Sequence, residues 1–350
     1  MPKTVGAPIK TGLIGLGNSG WFYHAEGSLS RSSQFDLVAV CSRSPSHVQR
    51  AAARFAAIAY TDWEALLRDD RVELVVIATP HDLHHRMAVD ALRAGKHVVV
   101  EKPMAMSTAE ADEMIAVAEE EARVLTVFHN RRWEPSYQII KQIVAAGTIG
   151  PVWRAEERRM HSGKYKVAAD NEPHLGVALA EWAHQPRSGG GVTYLVAPHL
   201  IDHQLNLFGA QPLTVSAVTD VYPGDTVEHY IDLHMTFTGN ILSRIEIFRE
   251  NVVDLPKWSV FGIEGTLVAP TFHAVELRVA GHETQIWPNL PNLRTCAEFY
   301  EGLYRAIRQN APPPVDPMGA RNVIRVIEAA LGSARAGGKV IDLTAVDHEV

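Results

Sequence analysis

Short apolar runs recur along the first third of the chain, each followed by a stretch with helical spacing. Residues 9–14 (IKTGLI), 35–40 (FDLVAV), 74–78 (LVVIA), 97–100 (HVVV) and 124–128 (VLTVF) read as strands. Runs that are apolar at consecutive positions suit a parallel sheet covered on both faces. Between them, 45–55, 62–68, 86–94 and 108–122 read as helices. Asp62 and Ser107 or Thr108 stand at N-cap positions, and Gly95 follows the third helix as a C-terminal glycine. The pattern predicts an α/β domain with a doubly wound parallel sheet over residues 1–128.

The pattern then changes. A helix is predicted over 137–146, ending at Gly147, and a strand over 152–160. Residues 161–190 are irregular and rich in Gly, Pro, His and Trp, as in an active-site loop. A helix over 193–208 is followed by strand-like runs at 213–219, 229–238, 241–249, 257–262, 266–269 and 274–279. These predict an α+β second domain, 129–350, built on a large, open, mostly antiparallel sheet. A Pro-rich turn at 311–317 leads into a last helix, 318–336. An uncovered sheet face needs a cover, so a homodimer or homotetramer is expected.

The first strand runs into Gly15-Leu16-Gly17-Asn18-Ser19-Gly20, and a helix is predicted to start near Ser19. In a strand–GxGxxG–helix unit the first glycine makes the tight turn. The second admits a phosphate to the backbone, and the third lets helix and strand pack closely. Gly15, Leu16, Gly17, Asn18 and Ser19 are thus candidates for a dinucleotide pyrophosphate, held at the positive end of the helix. Ser42 and Arg43 follow the second strand, where such a fold reads the adenosine ribose. An acidic residue there would accept from the 2′-hydroxyl of NAD. A hydroxyl and a guanidinium suit a 2′-phosphate instead, so NADP is favoured over NAD.

Thr79, Pro80 and His84 follow the 74–78 strand, and Glu101 and Lys102 follow 97–100, at the sheet edge where ligands bind in doubly wound folds. They complete the candidate cofactor site. His84 and His85 either cap a helix or face solvent, or, for His84, line the nicotinamide pocket. His81, His84 and His85 come without an HExxH motif or a cysteine pair, so no metal is expected.

Composition narrows the partners. The 350 residues are 46% hydrophobic and 21% charged, and 33 basic against 40 acidic residues leave a net charge of −7. Without a basic block, this balance argues against nucleic acid or an anionic membrane as partner. Cys41 and Cys296 form neither a disulfide framework nor a zinc spacing, which suits a reducing compartment. The first residues hold no signal-peptide core, and no apolar run reaches about 18 residues, so a cytoplasmic location is expected.

GLIGLGNSG (12–20), ATPHDLHHRMAVDALRAGKHVVVEKPM (78–104), FHNRRWEP (128–135) and APHLIDHQLNLFG (197–209) come in an order and spacing that resemble the Gfo/Idh/MocA oxidoreductases. This is the family of glucose–fructose oxidoreductase and inositol 2-dehydrogenase. Its most specific mark is Glu101-Lys102-Pro103 after the GKHV strand. The resemblance implies a Rossmann domain, a second domain with a large open sheet, a tightly held nicotinamide cofactor and a sugar, inositol or related polyol as substrate. Lys102 matches the family lysine, and His199 the histidine that donates and accepts the proton. The family aspartate four residues before that histidine is Leu195 here, which can neither orient an imidazole nor bind a hydroxyl. Tyr194, Asp202 and His203 are the nearby polar groups that could replace it. Arg131, Trp133, Tyr165 and Trp182 are candidates for the sugar site together with Lys102, His199 and Asp202, since aromatic faces suit the apolar side of a pyranose. Three functions stay open: hydride transfer to or from a sugar or polyol, cofactor binding without turnover in a sensor, and redox-neutral lyase- or glycosidase-type cleavage through transient oxidation.

Overall fold

A computed structural model describes residues 6–162, 181–251, 255–291 and 296–344. The chain divides into two compact units, one of residues 1–130 and 293–324, the other of 131–292 and 325–350. Among the described residues no helix is long and apolar enough to cross a membrane.

The first unit holds a six-stranded parallel sheet of β1 (Ile9–Ile14), β2 (Phe35–Cys41), β3 (Ile58–Tyr60), β4 (Leu74–Ile77), β5 (His97–Val100) and β6 (Leu125–Val127). Their order is β3-β2-β1-β4-β5-β6. Strand order reverses between β1 and β4, which opens a crevice at their carboxyl ends, where doubly wound sheets take ligands. Every residue of β4 is buried, as its unbroken apolar run predicts. The helices are α1 (Pro45–Phe55), α2 (Trp63–Leu67), α3 (His84–Arg93) and α4 (Thr108–Glu120). Ser44, Asp62 and Ser107 cap α1, α2 and α4 by accepting from the backbone N–H of His47, Glu64 and Glu110. The three-residue β3 escaped the sequence pattern because it is too short to show a period.

In the second unit come α5 (Pro135–Ala145), β7 (Val152–Ser162), α6 (Val192–Leu195) and α7 (Ala197–Phe208). The single helix expected over 193–208 is two. The chain leaves helical geometry at Val196 (φ −124°, ψ −46°), because Pro198 at the start of α7 has no N–H to continue the ladder and its ring crowds the preceding turn. Then follow β8 (Thr214–Asp220), β9 (Tyr230–Phe237), β10 (Ile241–Asn251), β11 (Trp258–Gly262), β12 (Gly265–Thr271), β13 (Ala274–Val279) and β14 (Gln285–Trp287). The sheet is not a simple meander: β7, first in sequence, lies between β11 and β10 and runs parallel to β10, while the other pairs are antiparallel. Tyr137 and Ile140 of α5 pack into the core with Ala155, Trp258, Val260 and Leu267 on one face. On the opposite face Arg158, Glu246, Arg244 and Asp232 form a ladder of ion pairs at 2.8–3.2 Å. Val218, Leu242 and Ile286 on that face are about half exposed.

Two helices and a strand close the chain: α8 (Ala297–Gln309), α9 (Pro317–Arg335) and β15 (Ile341–Asp342), which adds to the edge beside β8. The sequence reading assigned no element to 297–309 and placed all of 129–350 in one domain. Residues 293–324 instead cluster with the first unit. Phe299 packs edge-on against Phe128 at 4.9 Å, and the Thr126 hydroxyl donates to the Val315 carbonyl at 2.8 Å. α8 buries Phe299, Tyr300, Leu303 and Tyr304 on one face, so the burial of β6 depends on a segment from late in the chain.

Candidate active site

The three glycines of the loop after β1 answer to three different constraints. Gly15 has φ +96°, and a Cβ there would lie 2.2 Å from the Ala78 carbonyl oxygen. A Cβ on Gly20 would lie 2.0 Å from the Gly15 oxygen, so the helical turn Ser19–Glu26 can dock on β1 only without a side chain there. A Cβ on Gly17 would meet nothing within 4 Å, and the residue is exposed. The fold itself does not demand glycine at 17, whereas a phosphate seated on the backbone would. Asn18 is exposed and Ser19 half-buried, while the Leu16 side chain is buried and offers a ligand only its backbone. Ser42 is half-buried and Arg43 exposed at the end of β2. The loop and its neighbours thus fit a dinucleotide.

At the carboxyl ends of β4 and β5, Thr79, Pro80 and Lys102 are half-buried. The Lys102–Pro103 peptide is cis. Two neighbours assigned to the cofactor surface lie inside the unit. His84 is fully buried, its ring nitrogens 2.8 Å from the Pro103 oxygen and 3.0 Å from the Thr79 oxygen, so it ties the turn after β4 to the turn after β5. Burial pushes its imidazole below the ordinary value. His85 faces Glu113 at 2.9 Å. The buried carboxylate of Glu101 accepts from the Ser19 hydroxyl, faces His24 Nε2 at 3.2 Å and accepts from the Lys102 N–H at 3.1 Å. Burial alone would raise it, but His24, Lys102 and Ser19 together hold the carboxyl at about 2. A folded-state value below the ordinary 4.5 stabilises the fold above pH 4.5, and that stability is lost as pH falls towards 2. The stability difference between wild type and Glu101→Gln is expected to be greatest at neutral pH, up to roughly 3 kcal/mol, and to vanish near pH 2. Urea unfolding across that range checks it. A difference independent of pH would contradict it.

In the second unit, α7 presents a buried polar stripe. His199 is 8% exposed and Asp202, His203 and Gln204 are buried. The two oxygens of Asp202 are held by Arg132 at 2.8 and 2.6 Å, so its carboxylate is committed to the guanidinium. His203 Nδ1 lies 2.8 Å from Glu157 and its Nε2 lies 2.9 Å from the Arg131 carbonyl, with the ring stacked on Tyr137 at 4.1 Å. Burial pushes the Glu157 carboxyl up to about 7 against the pull of His203, and Glu157 in turn raises His203 despite burial. The Tyr137 hydroxyl and Lys141 both donate to Asn206. These bonds fix the turn Asn130–Trp133 and α5 to α7. Arg132→Met would take both guanidinium bonds away from the buried Asp202 carboxylate. The expected cost is about 3–5 kcal/mol, read as a lowered urea midpoint, and a loss below about 1 kcal/mol would contradict the pairing.

Arg131 pairs with Glu134, and Trp133, Trp182, Tyr194 and Leu195 are half-buried. Tyr165 and most of the expected loop 161–190 lie outside the described residues. Among the described residues no group of three His, Cys, Asp or Glu side chains is arranged to hold a metal. The sequence reading missed His24, Tyr300, Arg132 and Glu157. Their partners lie 46 to 276 residues away, and no local spacing announces such pairs.

A six-stranded parallel sheet with this glycine loop at its switch point, in a chain that also carries a nine-stranded open sheet, defines a two-unit protein of the dinucleotide-binding class. The oxidoreductase family model for the NAD-binding Rossmann fold matches residues 9–129, and the GFO/IDH/MocA C-terminal domain matches 137–268. An uncharacterised oxidoreductase of Schizosaccharomyces pombe is 34% identical over 74% of this chain and 69% of its own length. The scyllo-inositol 2-dehydrogenase (NADP(+)) of Bacillus subtilis is 24% identical over 93% of this chain and 94% of its own. A crystal structure of an NAD-binding protein from Listeria innocua superposes with a TM-score of 0.83 at 27% identity, covering 97% of this chain and 99% of that one. The chain belongs to the Gfo/Idh/MocA family and is an NAD(P)-dependent oxidoreductase.

Proposed function

We propose that the protein transfers a hydride between NADP(H) and a sugar, inositol or related keto-sugar or polyol, with Lys102 and His199 handling the proton. Exposed Gly17, where the fold tolerates a side chain, is the observation that carries the cofactor half of this reading. A bound nicotinamide supplies the hydride donor or acceptor. The chain's part is to hold the pyrophosphate on the Gly15–Ser19 backbone and to bring Lys102 to the end of β5. Lys102 polarises the reacting oxygen or relieves it of charge, and His199 exchanges the proton near neutral pH. Leu195 leaves His199 without the family's orienting carboxylate, and Asp202 is committed to Arg132. The same observation favours a second reading, a cofactor-binding sensor without turnover.

The Bacillus subtilis relative named for NADP(+) and scyllo-inositol supports NADP and a polyol substrate. Arg43 supports NADP by its charge. Arg43→Asp is expected to lower the preference for NADPH over NADH at least about tenfold, as one charge-assisted phosphate contact is lost and a carboxylate is added. Paired fluorescence titrations of NADPH and NADH check this, and an unchanged ratio would contradict it. A screen of sugars, inositols and keto-sugars for change in nicotinamide absorbance tests the activity. Tight binding without turnover across the panel would favour the sensor. The half-exposed apolar residues around the ion-pair ladder support assembly through the open sheet face, and sedimentation velocity tests it.

A further inference from the structure

The Glu101 carboxylate bonds both to the helical turn after the glycine loop and to the end of β5 in the first unit. One oxygen accepts from the Ser19 hydroxyl at the start of the helical turn after the glycine loop, and the other accepts from the backbone N–H of Lys102. Behind it, His24 Nε2 faces the same carboxylate at 3.2 Å, and His24 Nδ1 lies 2.7 Å from the Tyr300 hydroxyl on α8. Glu101, His24 and Tyr300 are all buried. With His24 neutral, the Tyr300 hydroxyl donates to His24 Nδ1 and His24 Nε2–H donates to Glu101, while Ser19 and Lys102 donate to the same carboxylate. Burial holds the Tyr300 phenol protonated, which keeps it a donor. The His24 ring is also wedged against Phe128 at 4.2 Å, which limits its rotation.

We propose that Glu101, backed by His24 and Tyr300, is a positioning residue that fixes Lys102 and the start of the cofactor helix as one rigid piece. Its charge acts on Lys102 at close range, and its reach sets where Ser19 and the loop before it stand. The inference rests on Lys102 and the loop being the working groups of the proposed function, but its test needs no substrate.

The groups facing Glu101 are Ser19 and His24 from the helical turn, Lys102 from its own strand end, Tyr300 behind His24, and, within reach of its charge, the buried His84 of α3 and Cys296 before α8. The experiment follows acylation of Lys102 against pH by peptide mass spectrometry, together with NADPH titration and urea unfolding, in wild type, Glu101→Gln and Tyr300→Phe. Glu101→Gln keeps the reach and removes the charge. Loss of that neighbouring anion is expected to move the acylation profile of Lys102 about one pH unit lower, and misplacement of Ser19 to weaken NADPH about fivefold. Tyr300→Phe removes only the far hydroxyl and is expected to weaken NADPH by about twofold or more, with the charge, and so the acylation profile, unchanged. A purely structural role would lower the unfolding midpoint of both variants and leave the Lys102 profile and the NADPH affinity of the folded fraction at wild-type values, and that result overturns the proposal. If Glu101→Gln does not fold, Tyr300→Phe decides: wild-type NADPH affinity overturns the relay, weakened affinity supports it. Loss of turnover in the unaltered chain would count against the proposed function and leave these readouts standing.

Discussion

Lys102→Met is expected to abolish turnover, lowering kcat about a thousandfold, while the protein still folds and binds NADPH. Methionine keeps most of the length and the apolar stem of lysine and removes the ammonium. Lys102 is half-buried at the end of β5, beside the turn that His84 ties to β4. Its backbone N–H bond to Glu101 does not depend on the side chain, so the turn keeps its shape. The change therefore isolates the chemistry from the scaffold. Steady-state rates and NADPH titration on the same preparation check it. Turnover within about tenfold of wild type would show that another group carries the proton.

Gly17→Val is expected to weaken NADPH on the order of a hundredfold, through loss of about 3 kcal/mol of charge-assisted bonding to the backbone. Its urea midpoint is expected to stay at or slightly above the wild-type value, because a Cβ at 17 meets nothing within 4 Å and the unfolded chain loses freedom. Gly20→Ala gives the opposite contrast. Its Cβ would sit 2.0 Å from the Gly15 oxygen, a backbone atom that cannot swing away, so the helical turn must move and stability falls. Affinity lost at 17 with the fold intact, and the fold weakened at 20, would together separate the role of a ligand from the role of packing. Equal affinity in Gly17→Val and wild type would remove the main support for the pyrophosphate site.

Features carried by local order were legible in the sequence. The glycine loop, the apolar runs of β4 and β5 and the capped helices α1, α2 and α4 need only neighbours in sequence to be seen. The alternation of β7 was legible too, but not its place in the middle of the sheet between β11 and β10, since alternation reports a buried face and not a partner. α8 has a clear apolar face at Phe299, Tyr300, Leu303 and Tyr304, a signal that was present and passed over. With it went Tyr300, and so the buried relay behind Glu101. Glu101 and His84 read as edge residues because they follow strands. Their burial depends on His24, Pro103 and Thr79, which the fold brings in from other segments. The Arg132–Asp202 pair, 70 residues apart, explains why Asp202 looked available in the sequence and is committed in the fold.

Hydride transfer itself can be followed with NADPH deuterated at both C4 positions of the nicotinamide. Wild-type protein is incubated with this reductant and a panel of keto-sugars and keto-inositols, and the carbohydrate products are read by mass spectrometry. One deuterium on carbon in a reduced product, absent with Lys102→Met, is the expected result. Tight binding of the labelled cofactor with no deuterated product from any member of the panel would contradict the claim that this chain reduces such substrates.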